Sequence, residues 1–217
     1  MSEVWLARHG ETTWNLAGRY QGRLESALTS LGMAQAQALG AFFFERLARR
    51  ETVPRRIVSS PLLRCAATAD VVAERLGVAR ENDERLVEIS HGGTWEGKLR
   101  DQIARDDAER YRAWRTQPAS VVFPGGESLA DVQARWRSFA RELAARDEPT
   151  LVLSHDAVIR SALADLLGRS LDDVWQLPVE NGAFALLVRR EGALAVVEPC
   201  VNDHLAGLRA QVSAQAL

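Results

Sequence analysis

Two histidines stand directly after short apolar runs: His9 follows Val4-Trp5-Leu6-Ala7-Arg8, and His155 follows Thr150-Leu151-Val152-Leu153-Ser154. A third such run, Arg56-Ile57-Val58-Ser59, leads through Ser60-Pro61 to Arg64. An isolated histidine is more often a cap or a core residue than a nucleophile, so imidazole alone decides little. Its company is more informative. Arg8 adjoins His9, and no carboxylate stands at an obvious metal-ligand spacing. Two imidazoles with two guanidiniums suit an anion better than a cation. The anion that takes several fork-like donors is phosphate.

The flanking elements must bring these groups together. The three runs read as strands, and the third is apolar enough to be covered on both faces. Thr29 reads as an N-cap for a helix with apolar residues at Met33, Ala36, Gly40, Phe43, Phe44 and Leu47. Pro61 suits the first position of a second helix, whose stripe is Leu62, Ala66, Ala69, Val72 and Leu76, closed by Gly77. Arg64 then falls in a first helical turn, where a cation opposes the helix dipole. That local misfit favours a functional role. Further helices are expected over 128–145 and 156–167, with Ala183–Val188 and Leu194–Val197 as a closing hairpin. The expected fold is a three-layer α/β/α sandwich with a mostly parallel central sheet, an antiparallel edge strand and a small helical cap insertion. One domain spans 1–217, and the cap covers about 88–126 with one helix from Asp101 to Arg115. Ligands of such open sheets bind beyond the carboxyl ends of the strands, where His9, Arg64 and His155 emerge.

Bulk composition narrows the class. A chain of 217 residues, 47% hydrophobic and 26% charged, can bury a full core without disulfides or metals. A formal net charge of −2 gives no general attraction to nucleic acid or an anionic membrane. Lys98 is the single lysine, so arginine carries the positive charge. Cys65 and Cys200 form no CxxC pair, no secretory pattern opens the chain, and no run is long enough for a membrane helix. A cytoplasmic location is the default expectation.

Several blocks, taken in order, resemble the histidine phosphatase superfamily, also called the phosphoglycerate mutase-like family. They are Leu6-Ala7-Arg8-His9-Gly10-Glu11-Thr12 with Trp14-Asn15; Arg19-Tyr20-Gln21-Gly22; Leu28-Thr29-x-x-Gly32; Ser59-Ser60-Pro61-Leu62-x-Arg64-Cys65-x-x-Thr68-Ala69; Leu86-x-Glu88; Trp95-Glu96-Gly97; Pro124-Gly125-Gly126-Glu127-Ser128; Leu153-Ser154-His155; and Asn202-Asp203-His204-Leu205. The resemblance covers the chain to about Gly207. It implies that His9 attacks phosphorus and becomes phosphorylated, and that Arg8, Arg64 and His155 hold the equatorial oxygens. It implies that a protonated Glu88 gives its proton to the leaving oxygen and later activates water. Asn15 and Gln21 would add neutral hydrogen bonds, and Gly22 and Asp156 complete the expected phosphate-binding set. No metal and no cofactor enter this scheme. Glu84, Glu96 and Asp101 are the competing acids. Asp156 departs from the pattern, which more often has glycine there; it reads as an N-cap, or else as a carboxylate holding His155 protonated. Glu25 and Ala27 depart where the loop often has aspartate and proline.

The resemblance implies a metal-independent phosphatase of phosphorylated small metabolites. The alternatives are a cofactor-dependent phosphoglycerate mutase, disfavoured by the short cap segment, and a non-catalytic phosphate-binding module, disfavoured because the catalytic set is intact. His91 and His204 are expected to be structural or solvent-exposed, and Trp114 and Trp136 to pack the core or cap. Arg100, Arg105, Arg110, Arg112 and Arg115 alternate with acids and read as a solvated helix face. Neither a nucleic-acid nor a membrane partner is expected. The assembly is open, with a homodimer the commonest outcome for such folds.

Overall fold

Strict alternation along the central strands sends every second side chain to opposite faces. Val4 and Leu6 point into one apolar cluster while Trp5 and Ala7 point into another; Val152 and the pair Leu151 and Leu153 divide the same way. The sheet is therefore buried on both sides. The computed structural model describes residues 2–209, so Met1 and 210–217 of the expected 1–217 domain lie outside the described residues. Its six strands are β1 (Glu3–Arg8), β2 (Arg56–Ser59), β3 (Arg80–Asn82), β4 (Thr150–Ser154), β5 (Phe184–Arg190) and β6 (Ala193–Val201), arranged β3-β2-β4-β1-β5-β6. Pairing is parallel from β3 to β1 and antiparallel between β1 and β5 and between β5 and β6. The protein is thus α/β, with a mostly parallel sheet whose closing hairpin supplies the antiparallel edge.

Helices cover both faces. On one side α2 (Ser30–Ala48) and α3 (Leu63–Leu76) pack on Trp5, Ile57 and Leu151 through Leu39, Phe43, Ala69 and Val72. On the other, α6 (Leu129–Ala144) and α7 (Asp156–Leu166) cover Val4, Leu6, Val58 and Val152. The short α1 (Thr13–Leu16) precedes α2, and α4 (Arg100–Asp106) and α5 (Ala108–Thr116) lie in the chain between α3 and α6. Local chemistry sets the ends. The Thr29 hydroxyl accepts from the Gly32 amide, Ser128 and Asp131 form a reciprocal capping box, and Gly77 closes α3 at φ 66°.

Three local expectations need correction, and one strand was not foreseen. The helix expected over Asp101–Arg115 is two, α4 and α5. Asp107 breaks it at φ −140° because its carboxylate accepts from the Trp95 indole at 2.8 Å and pairs with Arg110 instead of continuing the helix. The helix expected to open at Pro61 opens at Leu63, since the Ser60 hydroxyl takes the Leu62 amide and holds Ser60–Leu62 as a turn. His155, not Asp156, occupies the N-cap position of α7, and Asp156 is its first helical residue. Strand β3 is short and polar, which hid it from periodicity.

The segment 88–126 shares the main core. Ile89, Trp95, Ile103, Trp114, Val121 and Phe123 are buried in the same cluster as Leu129, Trp136 and Val152.

Candidate active site

β4 lies between β1 and β2, and the three carboxyl ends are in step: Arg8 pairs with Ser154, and Ser59 with Leu153. The His9 amide donates to the Ser154 carbonyl at 3.3 Å and the Ser60 amide to the Leu153 carbonyl at 2.9 Å. Three parallel strands therefore release His9, Ser60 and His155 side by side, with Arg64 one helical turn beyond Ser60.

His9 is 2% exposed, and its Nδ1 lies 2.7 Å from the Gly10 carbonyl. A carbonyl can only accept, so Nδ1 carries the proton and Nε2 carries the lone pair. Burial first, and then the Arg64 and Arg8 charges, push the His9 pKa well below its usual 6.5. The imidazole is neutral at working pH and able to attack. Its loop is pinned by three bonds: the Gly10 amide to Thr68 Oγ1 at 3.1 Å, Asn181 Nδ2 to the His9 carbonyl at 3.0 Å, and the Gly182 amide to the Arg8 carbonyl at 3.1 Å.

His155 is fully buried and faces His9 with ring centroids 5.2 Å apart. Its Nε2 is 2.8 Å from Ser60 Oγ, and the Cys65 thiol lies 3.5 Å from the same nitrogen. Its pKa is also pushed far down, by burial and then by Arg64. The Asp156 carboxylate turns to Arg8 and Arg160 and not to His155, against the reading in which it keeps His155 protonated.

Each arginine is braced and keeps a buried donor without a partner. Arg64 donates from Nη1 to the Leu24 carbonyl at 2.9 Å and from Nη2 to the Gly22 carbonyl at 2.8 Å, leaving its buried Nε without a partner. Arg8 pairs with Asp156 at 3.0 Å, and its Nε is likewise buried and unpartnered. Gly22 thus enters the site by holding Arg64 through its carbonyl. Gln21 accepts from Thr12 at 3.1 Å and Ser26 at 2.6 Å through Oε1. Asn15 accepts from the Thr12 amide at 3.1 Å, and its Nδ2 is buried without a partner.

Glu88 is 4% exposed. Burial raises its pKa, opposed by a bond from the Ile89 amide at 2.9 Å and assisted by the Asp156 charge. A carboxyl so placed holds its proton to higher pH than a solvated one, as a general acid requires. The competing acids do not share this setting. Glu84 and Asp101 are exposed. Burial alone would raise the pKa of Glu96, yet bonding and charge from His91 hold it at about 2.

The structure places other candidates elsewhere. His91 is buried among Tyr20, Trp95 and Phe123, with the Phe123 ring 4.6 Å away. His204 stacks on Phe184 and donates from Nε2 to the Gly182 carbonyl at 2.9 Å. Trp114 and Trp136 are fully buried. Arg105 and Arg112 are exposed, Arg110 pairs with Asp107, and Arg115 lies over the Trp175 ring. Asn181 and Arg160 were missed. Asn181-Gly182 looks in sequence like an ordinary turn before a strand, and Arg160 like any arginine of an amphipathic helix. Among the described residues no three His, Cys, Asp or Glu side chains converge to hold a metal ion, and no helix is long and apolar enough to cross a membrane.

The model of the histidine phosphatase superfamily (branch 1) matches residues 4–202. The chain is 33% identical over 207 residues to phosphoserine phosphatase 1 of Hydrogenobacter thermophilus, spanning 94% of this chain and 95% of that protein. It is 37% identical over 186 residues to glucosyl-3-phosphoglycerate phosphatase of Mycobacterium tuberculosis, spanning 81% and 76% respectively. A solved structure of phosphoserine phosphatase in complex with 3-phosphoglyceric acid, from Entamoeba histolytica, superposes with a TM-score of 0.81 at 25% identity, covering 94% of this chain and all of that one.

Proposed function

Since this chain belongs to the histidine phosphatase superfamily, we propose that it hydrolyses phosphomonoesters of small metabolites through a phosphohistidine on His9. The chain is a phosphoric monoester hydrolase by family and by its phosphatase relatives. The observation that carries the residue assignment is the 2.7 Å contact between His9 Nδ1 and the Gly10 carbonyl, which fixes the lone pair on Nε2.

In the first step Nε2 of His9 attacks phosphorus and the bond to the leaving oxygen breaks. Glu88, protonated, gives that oxygen its proton. Arg8 and Arg64 hold the equatorial oxygens through donors left free by their braces, with His155 beside them, so that charge is stabilised by groups already in place. In the second step water attacks phosphorus and the N–P bond breaks. Glu88, now ionised, takes the proton from that water, and both side chains return to their starting states. The segment 88–126, which carries Glu88 and shares the main core, acts as a cap built into a single domain. The relatives differ in the substrates they are named for, and the class assigned here is a small phosphorylated metabolite.

The test is phosphate release by chelator-treated wild type and His9→Ala from p-nitrophenyl phosphate, phosphoserine and 3-phosphoglycerate. Release by the wild type alone supports the reading. Equal release by both proteins overturns the role of His9. Release from no ester, with transfer between phosphoglycerates, replaces hydrolysis by a mutase reaction.

A further inference from the structure

Asp156 stands at the start of α7, where the family it resembles more often has glycine. A carboxylate only accepts hydrogen bonds, and beside a phosphate dianion it repels. Its surroundings give it a different task. The side chain is 1% exposed; Oδ1 lies 3.0 Å from Arg8 Nη1 and Oδ2 accepts from Arg160 Nε at 2.6 Å. Arg160, one turn along α7, also donates to the Val174 carbonyl at 3.1 Å and to the Leu177 carbonyl. Arg8 Nη1 reaches the Val179 carbonyl at 3.3 Å. One carboxylate thus joins the arginine beside the nucleophile to an arginine outside the reacting cluster. Both arginines fasten the same chain segment, 174–179.

We propose that Asp156 is a positioning residue for Arg8: it holds the guanidinium in one orientation, with Nε left to meet the phosphoryl group, through the chain Arg160–Asp156–Arg8. The only hydrogen bond of the Arg8 side chain among the described residues is the long one to Val179, and Asp156 holds it through the 3.0 Å ion pair. A flexible guanidinium must be ordered whenever an anion arrives, whereas one already clamped loses little freedom on binding. The carboxylate's repulsion of the dianion is the cost of that order. The inference rests on the reading of Arg8 as a phosphate-holding residue.

A double-mutant cycle separates positioning from repulsion and from general stability. Inorganic phosphate binding is measured by calorimetry for wild type, Asp156→Asn, Arg8→Ala and the double variant. Turnover of p-nitrophenyl phosphate is read in parallel. With Arg8 present, Asp156→Asn should weaken phosphate binding about tenfold, within the range of coupling between contacting residues. With Arg8 removed, the same change should leave binding unaltered or tighten it, because only repulsion remains. Arg160→Gln should weaken binding by a smaller factor, and only when Arg8 is present. This variant carries the test if Asp156→Asn does not fold. Tighter binding by Asp156→Asn with Arg8 present, or equal factors in both backgrounds, overturns the inference, as does a wild type that binds no phosphate. A wild type that binds phosphate yet releases none from p-nitrophenyl phosphate overturns hydrolysis instead and leaves the cycle readable.

Discussion

His9 and His155 meet edge to face, their ring centroids 5.2 Å apart and their planes inclined by 61°. Burial and the Arg64 charge hold both pKa values well below the ordinary 6.5. Neither ring can take a proton cheaply in the folded state, while both can after unfolding. Below pH 6.5 the unfolded chain therefore binds more protons, and stability falls as pH falls. Stability from the two rings is fully present above pH 6.5 and lost below it, each contributing a slope of at most about 1.4 kcal/mol per pH unit. Glu88, with its raised pKa, acts in the opposite direction but is one group against these two and His204, whose pKa burial also lowers. Thermal midpoints of ligand-free protein should drop from pH 7.5 to 5.5, and His155→Gln should flatten the drop. Equal slopes in both proteins would refute the assignment.

The task given to Glu88 depends on the leaving group. p-Nitrophenolate departs without a proton, whereas an alkoxide from phosphoserine needs one. Glu88→Gln keeps the shape and removes the acid. It should reduce kcat/KM for phosphoserine by about 100-fold or more, the scale of general acid catalysis, and reduce formation of the phosphoenzyme from p-nitrophenyl phosphate far less. Rapid-quench measurement of the first turnover separates the two. Equal losses would mean that Glu88 serves only in binding.

Much of the site was legible because its residues sit where strand periodicity stops. The apolar runs before His9 and His155 locate two strand exits, and an arginine in the first turn of α3 is out of place unless an anion is near. The supporting contacts were not legible. Asn181 and His9 are far apart in the chain, and no local pattern announces that Asn181 Nδ2 will donate to the His9 carbonyl. Asp156 was misjudged for a related reason. Local preference favours Asp as a cap, but a tertiary partner, Arg8, claims its carboxylate. The break at Asp107 has the same origin, since the Trp95 indole competes for that side chain.

The segment 88–126 is bound to the rest by its aromatic residues. Trp114 is fully buried, with Phe123 at 5.3 Å and Trp175 at 5.1 Å between ring centroids, and its carbonyl accepts from the Trp175 indole at 2.7 Å. If cap and sheet form one cooperative unit, Trp114→Ala should lower the global unfolding free energy by about 3–5 kcal/mol, as expected for a buried tryptophan. Denaturant unfolding followed by far-ultraviolet circular dichroism and by fluorescence should give coincident transitions. Separate transitions would make the cap a domain of its own.

Gly10 and Gly32 let the N-terminus of α2 rest against the loop that follows His9. A Cβ on Gly32 would run into the Glu11 carbonyl, and one on Gly10 into the Gly32 carbonyl, both far inside van der Waals contact. The same interface carries bonds from the Thr29 amide to the Glu11 carbonyl at 2.9 Å and from the Glu11 amide to Gln35 Oε1 at 2.8 Å, so it has little room to part. Two effects of Gly32→Ala compete. Alanine in a helix gains about 1 kcal/mol over glycine, while forcing a methyl into packed backbone costs about 1–3 kcal/mol. Backbone cannot swing aside as a flexible side chain can, so the clash should win and the variant should be less stable. Movement of the loop would also shift His9, and a displacement near 1 Å can cost about 100-fold in rate. Denaturation and turnover of Gly32→Ala should therefore show a net loss of stability together with a larger loss of kcat than of substrate affinity. A stabilised, fully active variant would show that the approach of α2 does not set the position of the nucleophile.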